Sequence, residues 1–160
     1  MADEQRFLAL MRDHQRIVLR LVGLYASDAE ERKDMEQEVL LQAWKGFDSF
    51  RGESKFSTWL HRVALNTILT QKRRPKVVER HDALEWIVHA AHDPGPARDD
   101  ADRLRQALRQ LPQTDRALIA LHLDGFDNGE VATIMGISAN NVGVKLHRIK
   151  TRLTELLQPL

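Results

Sequence analysis

The sequence predicts an all-α protein: two small helical domains, a three-helix-type bundle and a four-helix domain containing a helix-turn-helix, joined by a linker. Three observations carry that prediction. Apolar residues recur three or four positions apart through both halves of the chain, and the every-other-residue alternation of a half-buried strand is absent throughout. Residues 75–98 interrupt this pattern with three prolines, one glycine and three of the seven histidines. Charge follows the same division, at −4 over residues 28–48 and +5 over 51–74, then −3 over 99–130 and +3 over 138–155.

The elements follow in order. Phe7, Leu8, Leu10, Met11, Ile17, Val18, Leu21, Val22, Leu24 and Tyr25 fall at helical spacing and predict a first helix. A second runs from Glu30 to about Phe47 on Met35, Val39, Leu40, Ala43, Trp44 and Phe47, with Trp44 and Phe47 read as core. The turn formers Asp48, Ser49 and Gly52 separate it from a third helix, which begins near Ser54 as N-cap, continues to Lys72 and is stopped by Pro75. In the linker, Leu84, Trp86, Ile87 and Val88 predict a short helical segment packed on one domain. Four more helices follow, near 99–110, 113–124, 128–135 and 138–158, with breaks at Leu111-Pro112, Asp124-Gly125 and Gly136-Ile137-Ser138. Asp127 and Glu130 have the spacing of a capping box opening the third of these.

Composition excludes several classes. The chain has 160 residues and no cysteine, which removes disulfides, thiolate metal sites and a cysteine nucleophile. No apolar run approaches the roughly 18 residues that span a bilayer, so no membrane insertion is expected. The opening MADEQRFLAL lacks the basic flank and apolar core of a signal peptide, and a cytoplasmic location is expected. Glycine-rich phosphate loops, paired metal-binding histidines on a helix and a serine elbow are absent, so neither an enzyme nor a cofactor is expected. His81, His89, His92 and Asp93 read as solvated linker residues in preference to a metal site, and His14, His61 and His122 as ordinary helix residues. The net charge of +1 argues against a basic coat for nucleic acid, but its separation into patches fits a protein with two kinds of partner.

Two segments carry recognition chemistry. Over residues 129–153, a short helix with Val131, Ala132 and Met135, a turn at Gly136 and a Ser138-capped long helix have the layout of a helix-turn-helix. On the long helix Val142, Leu146, Ile149, Leu153 and Leu157 form an apolar stripe, with Asn141, Lys145, Arg148 and Arg152 alongside. Asparagine pairs with adenine and arginine or lysine with guanine in a major groove. In the first half, Trp44, Phe47, Phe50, Phe56 and Trp59 fall within sixteen residues and overlap the basic block from Arg51 to Arg74. Aromatic faces beside cations are what unpaired bases require.

KDMEQEVLLQAW and FDSFRGESKFSTWLHRVALN resemble region 2 of bacterial sigma factors, and LRQALRQLPQTDRALIALHLDGFDNGEVATIMGISANNVGVKLHRIKTRL resembles region 4. With no domain 3 between them, the plan resembles the extracytoplasmic-function (ECF, group 4) sigma-70 factors. The resemblance implies a region 2 at residues 1–74, a linker at 75–98 and a region 4 at 99–160. It also implies a sigma factor that directs promoter-specific initiation by core RNA polymerase. Asp34, Gln37, Glu38 and Leu41 match the pattern that docks on the β′ clamp helices, and the family's other polymerase contact is the β flap. Arg51, Lys55, Phe56, Trp59, Arg62 and Asn66 are then expected on the single-stranded −10 element. Asn140, Asn141, Lys145, His147, Arg148 and Arg152 are expected on the double-stranded −35 element, and an anti-sigma factor is the expected regulator. The chain departs from the family where many members carry a Thr-Val-Lys-Ser-Arg-like start to the recognition helix. Here Asn-Val-Gly-Val-Lys places Gly143 in mid-helix, at about 1 kcal/mol against alanine. Two alternatives fit parts of the pattern: a helix-turn-helix regulator acting without polymerase, and a sigma-like decoy that sequesters an anti-sigma factor.

Overall fold

The computed structural model describes residues 2–73 and 96–158, and every regular element among them is helical. The chain divides into two compact units, 1–75 and 76–160.

The first unit packs three helices, each against the other two: α1 (Ala2–Tyr25), α2 (Ala29–Gly46) and α3 (Phe56–Arg73). Asp28 begins α2 by accepting the Glu31 N–H at 2.7 Å, which satisfies one of the free donors of the first turn. The core joins Leu21 and Val22 of α1 to Met35, Val39 and Ala43 of α2 and Leu60, Ala64, Leu65 and Ile68 of α3, all essentially without solvent contact. An ion pair between Glu31 and Lys72, both largely buried, ties the first turn of α2 to the last turn of α3. Each charge also faces the helix end of opposite partial charge. A 3-10 turn, Phe47–Ser49, ends α2 and leads into an exposed loop with Gly52 at φ +77°, a left-handed conformation that favours glycine.

Two expectations are corrected here. Ser54 does not cap α3: the helix starts at Phe56, and the Ser54 hydroxyl donates to the Lys55 carbonyl. Trp44 is not core. It is 43% exposed, resting on Phe7 with ring centroids 5.1 Å apart, because Ala43 occupies the centre of the buried face and leaves the indole at its edge.

The second unit contains α4 (Pro96–Arg109), α5 (Gln113–Leu123), α6 (Asn128–Met135) and α7 (Ala139–Leu157). Helix α4 starts three residues before the expected boundary; a proline is accommodated at a first helical position, where its missing N–H has no partner to lose. Helix α7 is the hub, packing against α4, α5 and α6. Val142, Leu146, Ile149 and Leu153 meet Leu118, Leu121 and Val131 in the core, while Leu157 is only half-buried at the fraying end. Ile134, not Met135, completes the buried face of α6. The Arg116 guanidinium donates to the carbonyls of Arg109 (2.8 Å) and Leu111 (3.1 Å), closing the end of α4 where Pro112 breaks the chain. The expected apolar linker segment at Leu84–Val88 and the histidines at 81, 89 and 92 lie outside the described residues.

Candidate functional site

In the first unit Phe47 is the buried hub of an aromatic cluster. Its ring lies 5.2 Å from Phe7, 6.2 Å from both Phe50 and Trp59 and 6.4 Å from Phe56. The Arg6 guanidinium sits 5.4 Å above the same ring. Phe56 is 7% exposed, held between Phe50, Trp59 and the edge of His14. The expectation that Phe56 faces DNA is therefore corrected: as the first residue of α3 it turns inward and supports Trp59. The open rim of the cluster is Phe50 with Trp59, half-buried and 5.4 Å apart.

From Trp59, steps of three and four reach Arg62 and Asn66, both exposed, and one step back reaches the exposed Lys55. Trp59, Arg62 and Asn66 lie along one line of α3, which Lys55 continues just before its first turn, beside the loop that presents Arg51. An aromatic rim continued by cations and an amide is chemically suited to hold unstacked bases and follow their backbone. The same spacing extends to the exposed Arg73, a position periodicity alone would have found.

The outer face of α2 is of another kind. Asp34 and Gln37 are exposed, and Glu38 is half-buried and accepts the Gln42 amide at 2.9 Å. Leu40, Leu41 and Trp44 are each more than two-fifths exposed. Acids beside solvent-facing leucines and a tryptophan form a surface suited to a protein partner.

In the second unit the helix-turn-helix forms at the predicted residues. Asp127 caps α6 by accepting the Glu130 N–H at 2.8 Å, and that bond is the largest influence holding its carboxyl below the usual 3.8. Gly136 ends the helix at φ +72°, with its N–H on the Ala132 carbonyl, and Ser138 caps α7 by accepting the Asn141 N–H. Asn140, Asn141, His147, Arg148 and Arg152 are exposed on α7; Lys145 is half-buried at the flank of the core stripe. Arg152 contacts Glu155 at 3.3 Å, an exposed pair of little energetic weight. An open concavity of about 490 Å³ lies over the first half of α7, lined by Asn128 of α6 and by Ala139, Asn140, Gly143, Val144, His147 and Arg148. Asn128 and Val144 lie outside the set expected on the −35 element. Among the described residues no cluster of acids and histidines is arranged to hold a metal, and no helix is long and apolar enough to cross a membrane.

Comparison with known proteins agrees with this geometry. Residues 10–76 match the family model for Sigma-70 region 2, and residues 101–153 that for Sigma-70, region 4. The chain is 32% identical to the RNA polymerase sigma-H factor of Pseudomonas aeruginosa, over 99% of its own length and 89% of that protein. It is 31% identical to the ECF RNA polymerase sigma-E factor of Escherichia coli, over 99% and 90% respectively. A similar fold occurs in the sigma factor RpoE of Bartonella quintana, solved with the anti-sigma factor NepR (TM-score 0.71, 22% identity, 96% of this chain and 97% of that one). It also occurs in CnrH, solved with the cytosolic domain of CnrY (TM-score 0.69, 21% identity, 96% and 88%).

Proposed function

The chain belongs to the extracytoplasmic-function branch of the sigma-70 family, and from that premise we propose how its two units divide the work of an RNA polymerase sigma factor. Sigma factors initiate transcription without catalysing a reaction themselves.

In this reading the first unit is the region that docks on core polymerase and melts the −10 element. Asp34, Gln37, Glu38 and Leu41 form the docking face toward the β′ clamp helices, and the exposed Leu40 and Trp44 widen it. Trp59, with Phe50 beside it, stacks a base of the displaced strand, while Arg51, Lys55, Arg62 and Asn66 hold the strand. The second unit lays α7 in the major groove of the −35 element, with Asn140, Asn141, His147 and Arg148 toward base edges and Lys145 and Arg152 toward phosphates. It also meets the β flap. A cytoplasmic site of action follows, and an anti-sigma factor acts as regulator; the Bartonella quintana fold relative, solved with the anti-sigma factor NepR, supports the latter.

One observation carries the division of labour: the two family models match in order on two separately compact units, each with a solvent-facing set of side chains suited to its role. The test is transcription in vitro with purified core polymerase on promoter-bearing genomic DNA, followed by mapping of the start sites. New starts that depend on the protein are expected. Asp34→Lys is expected to lose core binding, and Arg148→Ala to keep it while losing −35-dependent initiation. Promoter binding without polymerase on a palindromic site would favour a helix-turn-helix regulator instead. Anti-sigma binding with no DNA contact would favour a decoy.

A further inference from the structure

Val144 is out of place by the ordinary logic of a helix. At about 100° per residue it lies diametrically opposite the buried stripe of Val142, Leu146, Ile149 and Leu153, on the line of α7 farthest from the core. It is 45% exposed, and its neighbours on that line are the polar Asn140 and His147. A β-branched apolar side chain gains nothing there from the fold.

Gly143, beside it, is equally unexplained from within. It has ordinary helical backbone, and a Cβ would meet only the Asn128 amide nitrogen, at a comfortable 3.7 Å. Neither backbone conformation nor internal packing calls for glycine, although the residue weakens the helix. The missing Cβ opens the floor of the concavity, where Gly143 and Val144 make an apolar notch edged by Asn128, Asn140, His147 and Arg148. Among the groups a major groove displays, the thymine C5-methyl is the apolar one.

We propose that the Gly143–Val144 notch seats the C5-methyl group of a thymine in the −35 element, making these two residues the specificity-determining pair of the second unit. The proposal rests on the reading of this protein as a sigma factor whose α7 enters the −35 major groove. Gly143 lets the helix approach the base pair, Val144 covers the methyl, and Asn140 and Arg148 stand beside it for the adjoining pairs. The notch reads thymine by shape and apolarity where the flanking residues read by hydrogen bonds.

The experiment removes the methyl group and nothing else. Promoters selected by the full-length protein with core polymerase from a pool randomised at the −35 element are remade with deoxyuridine for each thymine in turn. For the unaltered protein, one position is expected to lose about fourfold in initiation, the weight of one buried methyl group. Val144→Ala is expected to initiate less well on the thymine promoter and to be indifferent to deoxyuridine at that position. Gly143→Ala is expected to raise the melting temperature by about 4–8 °C, since it relieves a mid-helix glycine, yet to lose initiation at the same promoter. A selected element without thymine, a loss equal in the unaltered protein and Val144→Ala, or no loss at any position overturns the notch while protein-dependent initiation leaves the sigma reading standing. No initiation at any promoter overturns both.

Discussion

Phe56 and Trp59 sit one turn apart on the same helix, and their rings have different tasks. Phe56 is enclosed by four other rings, so Phe56→Ala is expected to destabilise the first unit by about 3–5 kcal/mol, read from its denaturant midpoint. Trp59 is half-buried at the rim. Trp59→Ala is expected to move that midpoint far less while reducing promoter opening by about 5- to 150-fold, the weight of one base stack of about 1–3 kcal/mol. Permanganate reactivity of the −10 thymines reports the opening. Equal effects of both substitutions on folding and opening would mean that Trp59 is only a core residue. Asp127 makes a separate prediction. Its carboxyl is held below the usual carboxylate value, so its charged form favours the folded state. That contribution is fully present above about pH 4 and is lost as pH falls through the lowered value. Asp127→Asn keeps a capping oxygen but no longer titrates, so the second unit is expected to show a shallower loss of stability in acid urea titrations.

At the scale of the element, caps decide where helices begin, and they were largely readable. Ser138 and Asp127 accept the backbone N–H groups that their spacing predicts, because an N-cap is a local bond spanning three residues. The same local logic puts Asp28 on the Glu31 N–H, and Asp28→Ala is expected to cost the first unit about 1 kcal/mol, measured by urea denaturation. A substitution without effect would show that the Glu31–Lys72 ion pair holds that turn by itself. Ser54 is the counter-example. It has the residue type of a cap, but the start of α3 is set by Phe56 entering the aromatic cluster, which no local rule foresees. On α7 the buried stripe and the outward position of Val144 both follow from the helical period.

At the scale of the whole molecule, two separate cores replace the single one that a chain of this length often builds. Fragments 1–75 and 76–160 are therefore each expected to be helical by circular dichroism and to melt cooperatively alone. If either fragment is unfolded while the full chain is folded, the units are not independent. A near-neutral chain with locally opposed patches is also expected to be a weak free ligand for DNA, since phosphate binding scales with the cations brought to bear.

The sequence by itself determined the helical class, the helix-turn-helix with its caps, the order of the charge patches and the family. Those features rest on period, local bonds and motif order, all of which act along the chain. Only the tertiary structure decided that Phe56 is inside, that Trp44 and Leu40 face solvent, and that Trp59 stands at the rim with Phe50. A helical period defines an apolar stripe, but which residues at its edges are covered depends on where neighbouring helices cross it, and large rings at those edges fall to either side.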